Sequence, residues 1–323
     1  MIKEDIIIIG AGPCGLSAAI ACQEAGFSPL VIEKGNIVNA IYRYPTHQTF
    51  FSTSEKLEIG DVAFVTEERK PKRNQALVYY RDVVKRKKIR VQSYEEVKLV
   101  TKQDDSEFHV STSKGEYVCQ KLIIATGYYD SPNKMNIPGE DKEHVHHYFK
   151  EAHPYFDLDV VVIGGKNSAV DAALELEKAG ARVCALYRGS EYSTSVKPWI
   201  LPEYESLVRN EKINLHFNAE VKEIANHEVI YTIGDEVYSV KADAVFAMTG
   251  YHPDHSFLRK IGVEVEAGSG RPALDPETME TNVEGVYIAG VIAAGNNANE
   301  IFIENGRHHG PLIAEDLKKK FST

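Results

Sequence analysis

The sequence predicts an α/β protein with two Rossmann-like dinucleotide-binding domains, the first of them discontinuous. A glycine turn between a strand and a helix occurs twice, as Gly10-Ala11-Gly12-Pro13-Cys14-Gly15 and as Gly164-Gly165-Lys166-Asn167-Ser168-Ala169. A chain of 323 residues is long for one domain and divides naturally into two such units. A strand and a closing helix near the C-terminus are expected to return and complete the first domain. The expected division is 1–128 with 251–323, and 150–250.

The elements follow from the pattern. Residues 5–9 form an apolar run bounded by glycine, which reads as a buried parallel strand. Residues 16–25 are small and alanine-rich, a helix capped by Gly26. Residues 29–33 give the second strand of a βαβ start. A loop-rich stretch over 36–54 carries Tyr42, Tyr44, Phe50 and Phe51, and a basic helix is expected over 75–88. Strands then alternate with polar turns at Asp104-Asp105 and Lys114-Gly115, ending in Ala125-Thr126-Gly127. The second unit repeats the plan: strand 160–163, the glycine turn, a helix to Lys178, and strand 183–187. It closes over 244–250. Strand 285–289 and a final helix finish the chain.

Composition limits the partners. A net charge of −10 argues against nucleic acid and against broad attraction to anionic membranes. The start of the chain lacks a signal-peptide pattern, and the apolar runs are too short to span a bilayer. Four cysteines, Cys14, Cys22, Cys119 and Cys184, have no metal-ligand spacing, so no metal is expected. Cys14 and Cys22 fall about 12 Å apart on one helix, beyond disulfide reach. A cytoplasmic protein without structural disulfides is expected.

The two turns differ chemically. In the first, Gly10 allows the tight turn, Gly12 lets the backbone approach a pyrophosphate, and Gly15 lets helix and strand pack closely. Pro13 opens a helix whose first amides face the phosphates. Glu33, ending the next strand beside Lys34, would accept from a ribose diol. In the second turn Lys166 takes the place of the middle glycine, before Asn167, Ser168 and Ala169. The following strand ends in Tyr187-Arg188-Gly189, where arginine in place of an acid suits a 2′-phosphate, with Lys197 as a candidate second cation. The Glu33 unit is therefore expected to hold FAD, and the unit with Gly164 and Arg188 to hold NADPH.

Over essentially the whole chain these residues resemble low-molecular-weight, thioredoxin-reductase-like flavoproteins. Ala125-Thr126-Gly127 and Met248-Thr249-Gly250 are similar to the crossover motifs of that group, which brings Thr126, Gly127, Thr249 and Gly250 into the candidate sites. The segment 285–290 resembles its flavin-binding strand, ending at Gly290. The aspartate that usually follows is Val291 here, so its flavin contact is lost or supplied elsewhere. The group also implies that Tyr44, Pro45 and His47 lie against the flavin ring, and that the run Asn305-Gly306-Arg307-His308-His309 approaches it. The redox Cys-x-x-Cys of thioredoxin reductases is missing: that segment runs from His146 to Pro154 without cysteine. A dithiol relay is thereby excluded.

Within the group the chain resembles the bacillithiol disulfide reductase family, through Gly12-Pro13-Cys14-Gly15, the Gly164–Ala169 turn and Ile301-Phe302-Ile303-Glu304-Asn305-Gly306. That resemblance implies reduction of a small-molecule disulfide by NADPH through FAD, in the cytosol, by a homo-oligomer. Cys14 then becomes the candidate redox cysteine, with its thiolate favoured at a helix N-terminus. The competing reading is a small apolar side chain that packs. Cys22, Cys119 and Cys184 read as packing, and Lys85-Arg86-Lys87-Lys88 as a solvated helix face. Three other functions stay open: a ferredoxin– or flavodoxin–NADP reductase, a small flavin monooxygenase, and a non-catalytic flavin redox sensor.

Overall fold

The computed structural model describes residues 1–104, 107–297 and 299–321. Two compact units divide the chain: residues 1–43, 47–131 and 251 onward form the first, and 44–46 with 132–250 form the second.

In the first unit β1 (Ile2–Ile9) leads through the glycine turn into α1 (Pro13–Glu24) and then β2 (Leu30–Glu33). Ile6 to Ile9 and all of β2 are buried, as parallel strands covered on both faces must be. The stretch expected as loop holds a short helix, α2 (Asn39–Arg43), and the basic helix is α3 (Arg73–Arg86). Its Lys85 and Arg86 are exposed, and Arg86 pairs with Asp82 at 2.6 Å. Strands β3 (Arg90–Ser93), β4 (Val97–Asp104), β5 (Glu107–Thr112) and β6 (Glu116–Ile124) follow. Asp105 of the expected Asp104-Asp105 turn lies outside the described residues.

The chain then enters the second unit. Strand β7 (Val145–His146) precedes β8 (Asp159–Ile163), α4 (Asn167–Lys178), β9 (Arg182–Leu186), α5 (Leu201–Arg209) and β10 (Ile213–His216). A three-stranded antiparallel sheet, β11 (Ala219–Ile224), β12 (Glu228–Ile233) and β13 (Glu236–Lys241), leads to β14 (Ala244–Ala247). The parallel sheet runs β10-β9-β8-β14-β7. Back in the first unit come α6 (His255–Ile261), β15 (Val286–Ile288), α7 (Ile303–Gly306) and α8 (His309–Phe321).

The first sheet runs β3-β2-β1-β6-β5-β4, and β15 joins it on β6. The long strand β6 serves two partners on one side. Its first half pairs antiparallel with β5, and residues 122–124 pair parallel with β15. The C-terminal return is thus a central part of the sheet, with Val286, Tyr287 and Ile288 buried. Helix α8 packs on α1, where Gly310 lies so close that a Cβ there would meet the Ala18 Cα at 2.7 Å. Leu16 and Ile20 of α1 are buried as well, each worth about 2 kcal/mol.

Candidate active site

The first turn has the geometry that its sequence implies. Gly10 has φ +108°, and a Cβ there would stand 2.5 Å from the Ala125 carbonyl oxygen. A Cβ on Gly15 would stand 2.1 Å from the Gly10 oxygen, so only glycine lets α1 seat against the turn. Around Gly12, by contrast, a Cβ would meet no described atom within 4 Å. An open face of this kind would admit a phosphate group to the backbone. Pro13 is the first helical residue of α1.

Glu33 is buried, and its carboxylate accepts from the Ala11 amide at 2.8 Å and the Gly35 amide at 2.7 Å. Burial pushes its carboxyl above the ordinary value, against the pull of those two amides. Glu33 lines one cleft with Gly10, Lys34, Thr126, Gly127 and Asp130. Lys34 pairs with Asp130 at 3.0 Å, and Arg43 joins the same carboxylate at 2.6 Å. Asp130 carried no sequence signal, since nothing in its neighbourhood marks it as more than a loop acid. The Thr126 hydroxyl is buried with no hydrogen-bond partner among the described residues. An orphaned hydroxyl in the cleft that Glu33 lines, and an open glycine face at a helix start, together fit a bound dinucleotide.

At the second turn Gly164 has φ +136°, and a Cβ would lie 2.5 Å from the Met248 oxygen, repeating Gly10. Lys166 caps α4 with extended backbone and is exposed. Asn167 accepts from the Lys197 amide at 3.0 Å and donates to the Ser195 carbonyl at 2.9 Å, tying the loop to the helix start. Ser168 is exposed and Ala169 is buried. Thr249 donates to the Asn133 carbonyl at 2.6 Å, and the Gly250 carbonyl accepts from the Asn133 amide, so both hold the crossover. Arg188 is exposed and makes no ion pair among the described residues.

One position needs correcting. The Gly10 amide bonds the Ile32 carbonyl and the Gly164 amide bonds the Leu186 carbonyl, so Tyr187, and not Arg188, stands where Glu33 stands. Arg188 is the counterpart of Lys34. A second residue escaped notice: burial, with Glu175 beside it, pushes Asp171 on α4 up to about 6. Helical periodicity alone does not distinguish it from a solvated acid.

Cys14 is half-buried in the first turn of α1. A Cβ on Gly306 would lie 2.9 Å from its Sγ, and one on Gly290 would lie 3.1 Å away, so both glycines pack on the sulfur. Burial, with the Glu304 carboxylate, pushes the thiol up to about 12. The expected stabilisation of a thiolate by the helix end is outweighed by desolvation and by that carboxylate, which hydrogen-bonds Ser52. Gly290 donates its amide to His309 Nδ1 at 3.1 Å, and burial lowers that histidine's pKa, keeping it neutral. Val291 opens a short 3₁₀ turn over 291–294. Tyr44 and Pro45 fall in a three-residue piece of the second unit, where the Thr46 amide bonds the Lys150 carbonyl, while His47 is exposed in the first. Cys22, Cys119 and Cys184 are buried, each pushed up to about 12 by burial. Where thioredoxin reductases carry their cysteines, Phe149 is buried against Phe246 at 5.3 Å. Of that segment Phe149 and Ala152 are buried, and Lys150, Glu151, His153 and Pro154 are exposed.

Two glycine turns, each at the carboxyl end of a parallel strand and each opening a helix, mark two nucleotide-binding units of Rossmann type. The family described as pyridine nucleotide-disulphide oxidoreductase matches residues 7–290. The chain is 66% identical over 321 residues to bacilliredoxin reductase Bdr of Bacillus subtilis (strain 168), covering 99% of each. It is similar in structure to bacillithiol disulfide reductase Bdr (YpdA) from Bacillus cereus, with TM-score 0.97 and 64% identity over 98% of this chain and 99% of that one. The Staphylococcus aureus protein of the same name gives TM-score 0.96 and 56% identity, over 99% of both chains. The chain belongs to the pyridine nucleotide-disulphide oxidoreductase family and is a flavin-dependent disulfide oxidoreductase using NAD(P)H. The resemblance read from its motifs is borne out, and no described helix is long and apolar enough to cross a membrane.

Proposed function

We propose that the chain carries FAD in the unit 1–128 with 251–323, takes NADPH in the unit 150–250, and reduces bacillithiol disulfide. The overall reaction is NADPH plus a proton plus one disulfide giving NADP⁺ plus two thiols. The observation that carries this reading is likeness over nearly the whole chain to two proteins named bacillithiol disulfide reductase, in a sequence with no Cys-x-x-Cys. The flavin, when bound, supplies two-electron chemistry between the nicotinamide and the disulfide.

The protein's own residues bind and orient. The Gly12 turn and the α1 amides take the pyrophosphate, Glu33 the ribose, and Thr126 supplies the buried hydroxyl. Lys34, Gly127, Gly290, Val291, Tyr44, Pro45 and His47 complete the proposed flavin surroundings. Gly164, Lys166, Asn167, Ser168, Ala169, Arg188 and Lys197 form the NADPH site, with Thr249 and Gly250 at the crossover. Cys14 enters as the cysteine that forms a mixed disulfide, on its place in the cofactor turn. The charge balance and the resemblance support a cytosolic homo-oligomer, which light scattering on the purified protein would check.

A second acceptor is favoured by the name of the Bacillus subtilis relative, which points to a bacilliredoxin. The test follows NADPH oxidation by the flavin-loaded protein with bacillithiol disulfide, oxidised bacilliredoxin, ferredoxin and oxygen in turn. Turnover dependent on bacillithiol disulfide is expected. Turnover with a protein carrier alone overturns the small-disulfide reading.

A further inference from the structure

The two units share a strap between the glycine turn and the loop after the second strand, built from different chemistry in each. In the first, the Glu33 carboxylate bridges the Ala11 and Gly35 amides. By strand register Ala11, Glu33, Lys34 and Gly35 correspond to Gly165, Tyr187, Arg188 and Gly189. The Tyr187 ring spans the same two positions. A Cβ on Gly165 would stand 2.4 Å from its Cγ and Cδ2, and one on Gly189 would stand 2.5 Å from its Cε1. Neither glycine has positive φ, so the ring is what requires glycine at both.

Backbone bonds fix the ring's root: Tyr187 donates its amide to His216 and accepts from Ala219, and the Gly189 carbonyl accepts from Asn218. Phe217 meets the ring edge-on with centroids 6.4 Å apart. A ring accepts no hydrogen bond as a carboxylate does. The Gly165 and Gly189 amides, whose counterparts Glu33 consumes, donate to no other described residue. Arg188 lies between them in sequence, exposed and without an ion pair among the described residues.

We propose that Tyr187 determines nucleotide choice in the second unit: its neutral ring takes the seat of the ribose-binding acid and leaves the Gly189 amide and the Arg188 guanidinium to a 2′-phosphate. This rests on the NADPH reading and adds a residue to it. A carboxylate in that seat would recapture both amides and oppose the phosphate's charge.

The flavin-loaded protein is titrated calorimetrically with 2′,5′-ADP and with 5′-AMP, and kcat/KM is measured for NADPH and NADH. Tyr187→Glu is expected to weaken 2′,5′-ADP about tenfold or more while 5′-AMP changes less than about twofold. Tyr187→Gln, whose carbonyl competes for the Gly189 amide without charge, is expected to lose about threefold and carries the test where the charge bars folding. Tyr187→Phe is expected to match the wild type. A wild-type preference for 2′,5′-ADP that survives in both Tyr187→Glu and Tyr187→Gln overturns the role of Tyr187 alone. A wild type that binds 5′-AMP as tightly as 2′,5′-ADP overturns the NADPH reading and this inference with it.

Discussion

At the first turn, Glu33 and Thr126 separate the needs of folding from those of the cofactor. Glu33 holds two backbone amides, one of them buried, so Glu33→Gln, with one acceptor oxygen left, should cost about 1–2 kcal/mol of stability and weaken flavin retention together. Thermal melting with and without FAD checks both. Among the described residues the Thr126 hydroxyl has no partner to lose. Thr126→Val is therefore expected to leave the flavin-free melting temperature unchanged and to weaken FAD binding by about 1 kcal/mol. Equal loss in both forms would assign the hydroxyl to folding. For Cys14, a thiol near 12 leaves roughly one part in 10⁵ as thiolate at pH 7. Turnover through Cys14 should then climb about tenfold per pH unit from pH 7 to 9, and Cys14→Ala should abolish disulfide reduction while keeping FAD. A Cys14→Ala enzyme with full turnover and a flat profile leaves the sulfur as packing between Gly290 and Gly306.

At the scale of elements, each βαβ unit depends on how closely its helix meets its strand. Gly15→Ala brings a methyl against the Gly10 carbonyl, and the expected cost is about 3 kcal/mol with loss of flavin, read by melting and by the visible flavin spectrum. The start of β8 is tied by charge. Asp159 bonds Arg182 at 2.7 Å and Lys241 at 2.6 Å, and those hydrogen bonds lower its carboxyl from 3.8 to about 2. The folded-state value lies below the unfolded one, so the contribution is complete above pH 4 and is lost as pH falls towards 2. Both partners are exposed, so solvent screening limits it to about 1 kcal/mol. Asp159→Asn should lower stability by that amount at pH 7 and by nothing at pH 2, in chemical denaturation at the two pH values.

For the molecule as a whole, the first unit is closed by residues that arrive last in the chain. Strand β15 completes the sheet on β6, and α8 covers α1. A chain ending at Gly250 should fail to fold its first unit and emerge without flavin, which the colour and solubility of the purified product would show. Retained flavin would mean that residues 1–131 suffice. The expected oligomer belongs to this scale too, and a net charge of −10 per chain opposes unspecific association of copies.

The sequence by itself determined the two βαβ units, because a glycine turn between an apolar run and a small-residue helix has few other solutions. It also placed an acid, Glu33, at the end of the second strand, the position that the fingerprint demands. Short-range pattern missed α2, which five residues inside an aromatic loop do not announce. Tertiary structure alone decided which residue of Tyr187-Arg188-Gly189 takes the seat of the acid, because register is set by pairing with Ile163 and not by local composition. It alone showed Asp130 gathering Lys34 and Arg43, an arrangement made by residues 87 apart or more. And it reversed the charge expected at Cys14: a helix N-terminus favours a thiolate in isolation, but burial under two glycines beside Glu304 costs more than the helix end returns.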